Sequence, residues 1–473
     1  MPQNPWFQAI QKPAQEFPLT PLPIVSGQLP SHLRGTLYRN GPACLQRGGQ
    51  KVGHWFDGDG AMLAVHFTSE GAKAVYRYVQ TAGYQAEVEA NQYLYPNYGM
   101  TVPGSFWKNW GKEVKNSANT SVLALEDKVL ALWEGGLPYA LDPTNLKTWG
   151  MDQLEGLSAN SPFSAHPKID PATGEIYNFG VLPGKESSLQ VYQSTAKGKI
   201  VKTGSVKLKG IPLIHDFVLA GQYLVFLVSP VRVSLLPVLL GLKSFSDAMQ
   251  WKPELGTEII VLDRATLSVI SRSRTEAWYQ WHFANGYEEK DGTVVAQFIR
   301  YPDFQTNEYL KSIPTGHPKT NAEGNFWQLR LNPKTGKVFS NEPLLEQDCE
   351  FPVVTPQTVG QSQQETYLSV HQSGVDPQQE LYGAIACYHH STQTLTVAEA
   401  GHNRYPSEPI YVDDPEGSGW LLTVVYDANQ DQSEVWIYQR DQLMVDPVCR
   451  LQLPQVIPHS FHGTWQPQKY HNL

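Results

Sequence analysis

Four of the 14 histidines in this sequence stand apart from the rest. His166 (FSAHPKID), His215 (PLIHDFV), His282 (YQWHFANGYEE) and His462 (HSFHGTW) each lie in an apolar or small-residue stretch beside a strand-like run. Imidazole is neutral near pH 7 and is the commonest metal ligand. Four such rings converging, with no cysteine among them, suit a first-row divalent ion such as iron, copper or zinc. Each histidine taken singly also reads as a hydrogen-bonded structural residue at a strand end. The residues alone leave both readings open.

A metal-bound histidine normally donates its second ring N–H to a carboxylate or carbonyl, which fixes the tautomer. Three glutamates sit in otherwise apolar stretches: Glu134 (ALWEGGLPYA), Glu350 (DCEFPVV) and Glu408 (YPSEPIYV). A glutamate so flanked is expected to be buried, and a buried carboxylate must be paired. Its partners could be three of the four histidines, or equally arginines and backbone N–H groups at sheet edges.

No local motif announces an enzyme. There is no P-loop, GxGxxG, GxSxG or HExxH, and no HxD or HxE pair for a 2-His-1-carboxylate site. Any site must therefore be assembled from distant residues, and the elements that carry them decide whether it exists.

Those elements read as strands. Short β-branched and aromatic runs recur between turn residues, as in Lys128–Trp133, Tyr223–Val228, Gly292–Phe298 and Leu421–Tyr426. Four connections repeat in kind: DPTNL from Asp142, DPATG from Asp170, DRATL from Asp263 and NPKTG from Asn332. This is type I turn chemistry closing hairpins. Hairpins repeated over hundreds of residues without helical spacers predict an all-β propeller of antiparallel blades, with a double β-sandwich as the rival. In a propeller the innermost strand of every blade faces the axis, so histidines one or several blades apart in sequence can meet there.

Composition narrows the function classes. The 473 residues carry a net charge of −9 with no basic run, which excludes a typical nucleic-acid binder. Hydrophobics at 41% and charged residues at 17% exclude disorder. Four scattered cysteines form no CxxC pair, so neither a disulfide scaffold nor a cysteine zinc site is expected. The N-terminus lacks the pattern of a signal peptide. With no composition break, one domain over 1–473 is expected, with the Pro-rich residues 1–30 as a strap on the surface.

One segment departs from the pattern. Within residues 229–256 lie Leu235, Leu236, Leu239, Leu240 and Leu242, interrupted by Pro237 and Gly241. The segment is too short to span a bilayer. It reads either as a half-inserted apolar patch flanked by Arg232, Lys243 and Trp251, or as a buried helix over a blade edge.

Several blocks then point one way. LRGTLYRNGPA (33–43), HWFDGDGAM (54–62), KNSANTSV followed by LALWEGGLPYALDP, the four histidine blocks, CEFP and YPSEPIYV together resemble the carotenoid cleavage oxygenases, nearly end to end. The resemblance implies a seven-bladed β-propeller whose long loops form a dome and a substrate tunnel over an axial metal. It implies one Fe(II) per chain held by His166, His215, His282 and His462. It pairs Glu134 with His215, Glu350 with His282 and Glu408 with His462, leaves His166 without a glutamate, and puts Thr120 near the O2 site.

The implied activity is cleavage of a C=C bond of a carotenoid or apocarotenoid with O2, giving two carbonyl products. Phe56, Trp133 and Trp281, beside the matched blocks, are the expected tunnel lining. A polyene substrate would come from a bilayer, so the leucine segment is the expected membrane dock of a cytoplasmic, peripherally membrane-associated protein. The alternatives are a stilbene-type alkene substrate and a carotenoid-binding propeller without turnover. Stilbene-cleaving members carry a lysine where Trp133 stands. Neither the bond cleaved (15,15′ or 9,10) nor the oligomeric state is set by the sequence.

Overall fold

The computed structural model describes residues 4–468 apart from 105, 110, 185, 321 and 418. Seven antiparallel sheets follow one another along the chain as the blades of a propeller. Each blade has one terminal strand at the axis: Ser121–Ala124, Lys168–Ile169, Val218–Ala220, Phe283–Glu288, Cys349–Val353, the pair Arg404–Pro406 and Ile410–Val412, and Gly463–Pro467. The last of these joins Gly35–Cys44, Asp59–Thr68 and Gly71–Tyr78 from the other end of the chain. The ring is thus closed by one blade built from both chain ends, which counts as the first blade.

The hairpin turns show how sequence sets this geometry. In all four, the side-chain oxygen of the leading Asp or Asn accepts backbone N–H groups two or three residues on. The fifth residue donates its N–H back to the first residue's carbonyl, at 2.8–2.9 Å. That fifth residue adopts a left-handed backbone: Leu146 (φ 57°), Gly174 (φ 72°), Leu267 (φ 59°) and Gly336 (φ 71°). Glycine does this without strain, whereas a leucine bears a cost of about 1–2 kcal/mol. Leu146 and Leu267 are buried, 0% and 2% exposed, and burial worth about 1.5–3 kcal/mol offsets it.

Blades pack face to face through apolar clusters. Between the third and fourth blades, Phe179 meets Phe217 and Phe226 edge-on at 5.4 Å, and Phe217 stacks on Phe226 at 5.1 Å. A separate cluster forms the dome at one end of the axis. It gathers Trp6, Phe7, Ile10, Trp55, Ile313 and Phe461 from loops and short helices, and Tyr405 from an axial strand.

Residues 4–27 enter both regions. Trp6 is fully buried in the dome, its Nε1 donating to the Gln379 carbonyl. Further on, Phe17–Pro21 and Ile24–Gly27 each add an outer strand to a blade.

Candidate metal centre and cavity

Each axial strand presents a polar residue within three residues of its start. Around the ring these are Thr120, His166, His215, His282, Glu350, Glu408 and His462. The four histidines thus meet because four blades begin alike. Their ligand nitrogens all lie within 4.8 Å of one another. His166 Nε2 is 2.9 Å from His215 Nε2, which is 3.3 Å from His282 Nε2. Two nitrogens bound at right angles, each about 2.1 Å from a first-row ion, lie about 3.0 Å apart. The set therefore fits a metal.

Electrostatics favours the ligand form of His166. Burial, reinforced by His215, His462 and His282, holds its pKa well below the ordinary imidazole range. The ring stays neutral with its lone pair available.

The glutamates contact the far sides of three rings. His282 Nδ1 lies 2.5 Å from Glu350 Oε2, and His462 Nδ1 lies 2.9 Å from Glu408 Oε1. Burial opposes ionisation of both carboxylates. The facing imidazoles outweigh it, and both pKa values fall below the usual carboxylate range. Glu134 differs. Its Oε1 is 3.2 Å from His215 Nδ1, but the contact lacks hydrogen-bond geometry and that oxygen has no hydrogen-bond partner. Its side chain is 30% exposed, so apolar flanks did not bury it: it follows the second strand of its blade, Val129–Leu132, and lies in a loop.

Three neighbours of the site carry no signal in the sequence. Arg39 donates from Nη1 to both the carbonyl and Oε2 of Glu408, while Nη2 reaches the Phe461 carbonyl. Tyr301 donates its hydroxyl to Glu350 Oε1 at 3.1 Å. Phe351 has a left-handed backbone (φ 52°), and a register shift between Glu350 and Val353 bends this strand. The bend accompanies a 2.6 Å bond from the Phe351 N–H to Glu350 Oε2. The Phe351 ring packs against His282 at 5.6 Å and His462 at 5.4 Å. The LYRNGPA block contains Arg39, but nothing local distinguishes it from a surface arginine.

Three of the four histidines, His215, His282 and His462, line a cavity of about 390 Å³ under the dome. Its lining includes Thr120, Phe56, Trp133, Glu134 and Trp281. Trp281 meets His215 edge-on at 4.9 Å and Phe56 at 5.5 Å, and its Nε1 donates to Thr306 Oγ1. The Thr120 hydroxyl donates to Asn119 Oδ1, whose amide holds the Phe56 and Gly58 carbonyls. No lysine or arginine lines the cavity among the described residues.

The leucine segment lies on the outside. Leu235–Leu239 forms a short helix, and Leu236, Leu239, Leu240 and Leu242 are exposed. Leu235 is half-buried. The guanidinium of Arg232 is bound to the carbonyls of Lys209, Ser229 and Val231, so it is not a free flanking charge. Among the described residues no helix is long and apolar enough to cross a membrane.

Known proteins resemble this chain in sequence and fold. The family model of retinal pigment epithelial membrane protein, RPE65, matches residues 10–467. The apocarotenoid-15,15′-oxygenase of Synechocystis sp. is 32% identical, covering 98% of this chain and 96% of its own length. The isoeugenol monooxygenase of Pseudomonas putida is 28% identical over 93% of this chain and 94% of its own. The crystal structure of cobalt-substituted Synechocystis ACO superposes with a TM-score of 0.89 at 30% identity, covering 98% of each chain. A match of this extent, with four histidines converging at the axis of a seven-bladed propeller, means that the chain belongs to the RPE65/carotenoid cleavage oxygenase family.

Proposed function

We propose that this protein cleaves a C=C bond of an apolar conjugated alkene with O2, and that an apocarotenoid is the substrate class to test first. The observation that carries this is the four-histidine set, three of whose rings line an apolar, aromatic cavity. Iron(II), when bound by the four histidines, supplies the activation of O2. The overall change is balanced: the alkene C=C and the O=O bond break, and two C=O bonds form.

The protein's own residues bind, orient and exclude water. His166, His215, His282 and His462 are the ligands. Glu350 and Glu408 accept the second ring N–H of His282 and His462, fixing both rings, whereas Glu134 lies near His215 without a hydrogen bond to it. Phe56, Trp133 and Trp281 form the wall along which a polyene lies. The dome above them keeps bulk water from the reacting bond. Thr120 directly precedes an axial strand that carries no ligand, and it limits the space beside the metal. No side chain is needed as a general base. A phenolic alkene is the second candidate because of the likeness to isoeugenol monooxygenase. Trp133 offers such a substrate no cation for a phenolate, and the polyene is favoured.

The exposed leucines are the membrane dock in this reading, and one domain spans 1–473. An apolar polyene dissolves in bilayers, and a half-inserted patch beside the cavity lets it enter without crossing water.

The test is incubation of the anaerobically purified, iron-loaded protein with β-apo-8′-carotenal and O2, followed by product masses. Two aldehyde fragments bear out the reading and reveal the bond. Iron-loaded protein that cleaves neither this polyene, full-length carotenoids nor isoeugenol overturns it in favour of a binding scaffold.

A further inference from the structure

A second cluster of metal-ligating groups lies on the sixth blade, away from the axis. Glu365 begins the strand Glu365–Val370, and Cys387 and His389 lie on the neighbouring strand Ala384–His389. Residues two apart on a strand share a face, and Glu365 pairs directly with His389 across the ladder. All three ligand atoms fall within 4.8 Å of one another.

The separations are close to those of a metal's ligands. His389 Nδ1 is 3.4 Å from Glu365 Oε1 and 4.0 Å from Cys387 Sγ. In tetrahedral zinc, bond lengths of about 2.3 Å to S, 2.05 Å to N and 2.1 Å to O put N and O about 3.4 Å apart and S and N about 3.6 Å apart. These two sides are thus within a few tenths of an ångström of the zinc values, and the third side is within 4.8 Å.

The surrounding groups orient the ligands. Arg440 Nε and the Tyr367 hydroxyl both donate to Glu365 Oε2, at 2.8 Å each, which leaves Oε1 facing the histidine. His389 Nε2 lies 3.1 Å from the Thr396 hydroxyl. A proton on Nε2 puts the Nδ1 lone pair toward the cluster. Arg440 also brings a positive charge, which one carboxylate and one thiolate outweigh. Burial pushes the Cys387 thiol up, so without an ion it stays protonated. His389 is one-third exposed, which leaves a route for the ion and a place for water as fourth ligand.

We propose that Glu365 Oε1, Cys387 Sγ and His389 Nδ1 form a zinc-class site distinct from the four-histidine centre. On binding, the S–H bond of Cys387 breaks, the sulfur–metal bond forms and the proton passes to solvent. The ion staples two strands of one blade together and takes no part in alkene cleavage.

Cobalt(II) added to the iron-loaded full-length protein tests this. A thiolate on cobalt gives a strong near-ultraviolet charge-transfer absorption that four imidazoles cannot give. The expected result is that band, lost in Cys387→Ser and strongly weakened in His389→Gln. Zinc equilibration followed by elemental analysis should give about one zinc besides the iron, with both variants keeping their iron. Iron retention and a cooperative melt show that the variants fold. Absence of the band in the wild type, or its persistence in Cys387→Ser, overturns the site.

Discussion

Arg39 and Glu408, 369 positions apart, meet in the buried interior at 3.3 Å, and the carboxylate of Glu408 turns its other oxygen to His462. Arg39 is 1% exposed, and burial pulls its guanidinium down to about 10. Gly463 completes the arrangement by donating its N–H to Glu408 Oε2. A ligand histidine is thereby tied to the strand Gly35–Cys44, which pairs with Gly463–Pro467 to close the ring.

Removing the arginine leaves a buried carboxylate without its cation, a loss of about 3–5 kcal/mol. Arg39→Met should therefore lower the unfolding midpoint sharply and also loosen iron. Glu408→Gln strands the buried guanidinium in turn and should lower the midpoint comparably while also weakening iron. Denaturant melts of both variants, each with iron per chain, check this. Equal stabilities for Arg39→Met and wild type would falsify the account of the pair.

The three glutamates should not be equivalent. Glu350 sits 2.5 Å from His282, is buried, and is braced by Tyr301 and the Phe351 N–H. Glu134 is half-open and lacks hydrogen-bond geometry to His215. Glu350→Gln is expected to weaken iron about 10–100-fold, and Glu134→Gln markedly less. Competition against an Fe(II) chelator ranks them, and the reverse order would contradict the geometry.

Any of the four histidines changed to alanine should abolish both iron and turnover. His282→Ala is the sharpest case, because it also strands Glu350 beside a void. Full iron occupancy and an unchanged rate in that variant would remove the metal centre from consideration.

Much of this site was legible because each ligand sits where an axial strand starts. His166, His215, His282 and His462 share small or apolar flanks for that reason, and the Asx hairpins signalled the blades. Arg39, Tyr301 and Phe351 were not legible. Arg39 acts across 369 positions, and its role depends on ring closure rather than on any local pattern. Phe351 depends on a register shift, which a run of apolar residues does not reveal. Glu134 looked like Glu350 in sequence, yet a loop position left it half-exposed. The cavity wall is drawn from dome loops of no common period, so only residues beside the matched blocks could be named.

Leu267 offers a test of which effect governs the hairpins. Its left-handed backbone favours glycine, as Gly174 and Gly336 show in the matching turns. Its side chain, however, packs in the core between the third and fourth blades. Loss of a buried leucine costs about 2–5 kcal/mol, against about 1–2 kcal/mol of backbone relief. Leu267→Gly should therefore destabilise by about 1–3 kcal/mol, as read by denaturant titration. A stabilised variant would mean that strain, not burial, dominates at this turn.

The leucine patch makes the last prediction. Leu236, Leu239 and Leu242 are 67%, 63% and 61% exposed on a short helix and the turn after it. Inserting each into hydrocarbon is worth about 1–2 kcal/mol, so Leu236→Ser with Leu239→Ser should cut vesicle partitioning about 10–1,000-fold. The net charge of −9 opposes attraction to anionic lipid, and Arg232 is already engaged by carbonyls. Binding should then be apolar in origin, survive high salt and need no anionic lipid. Co-sedimentation with zwitterionic vesicles at low and high salt measures it, beside turnover of a detergent-dispersed substrate. Weak binding by the double variant with unchanged turnover in detergent assigns the patch to docking. Equal binding by variant and wild type moves the membrane contact elsewhere on the surface.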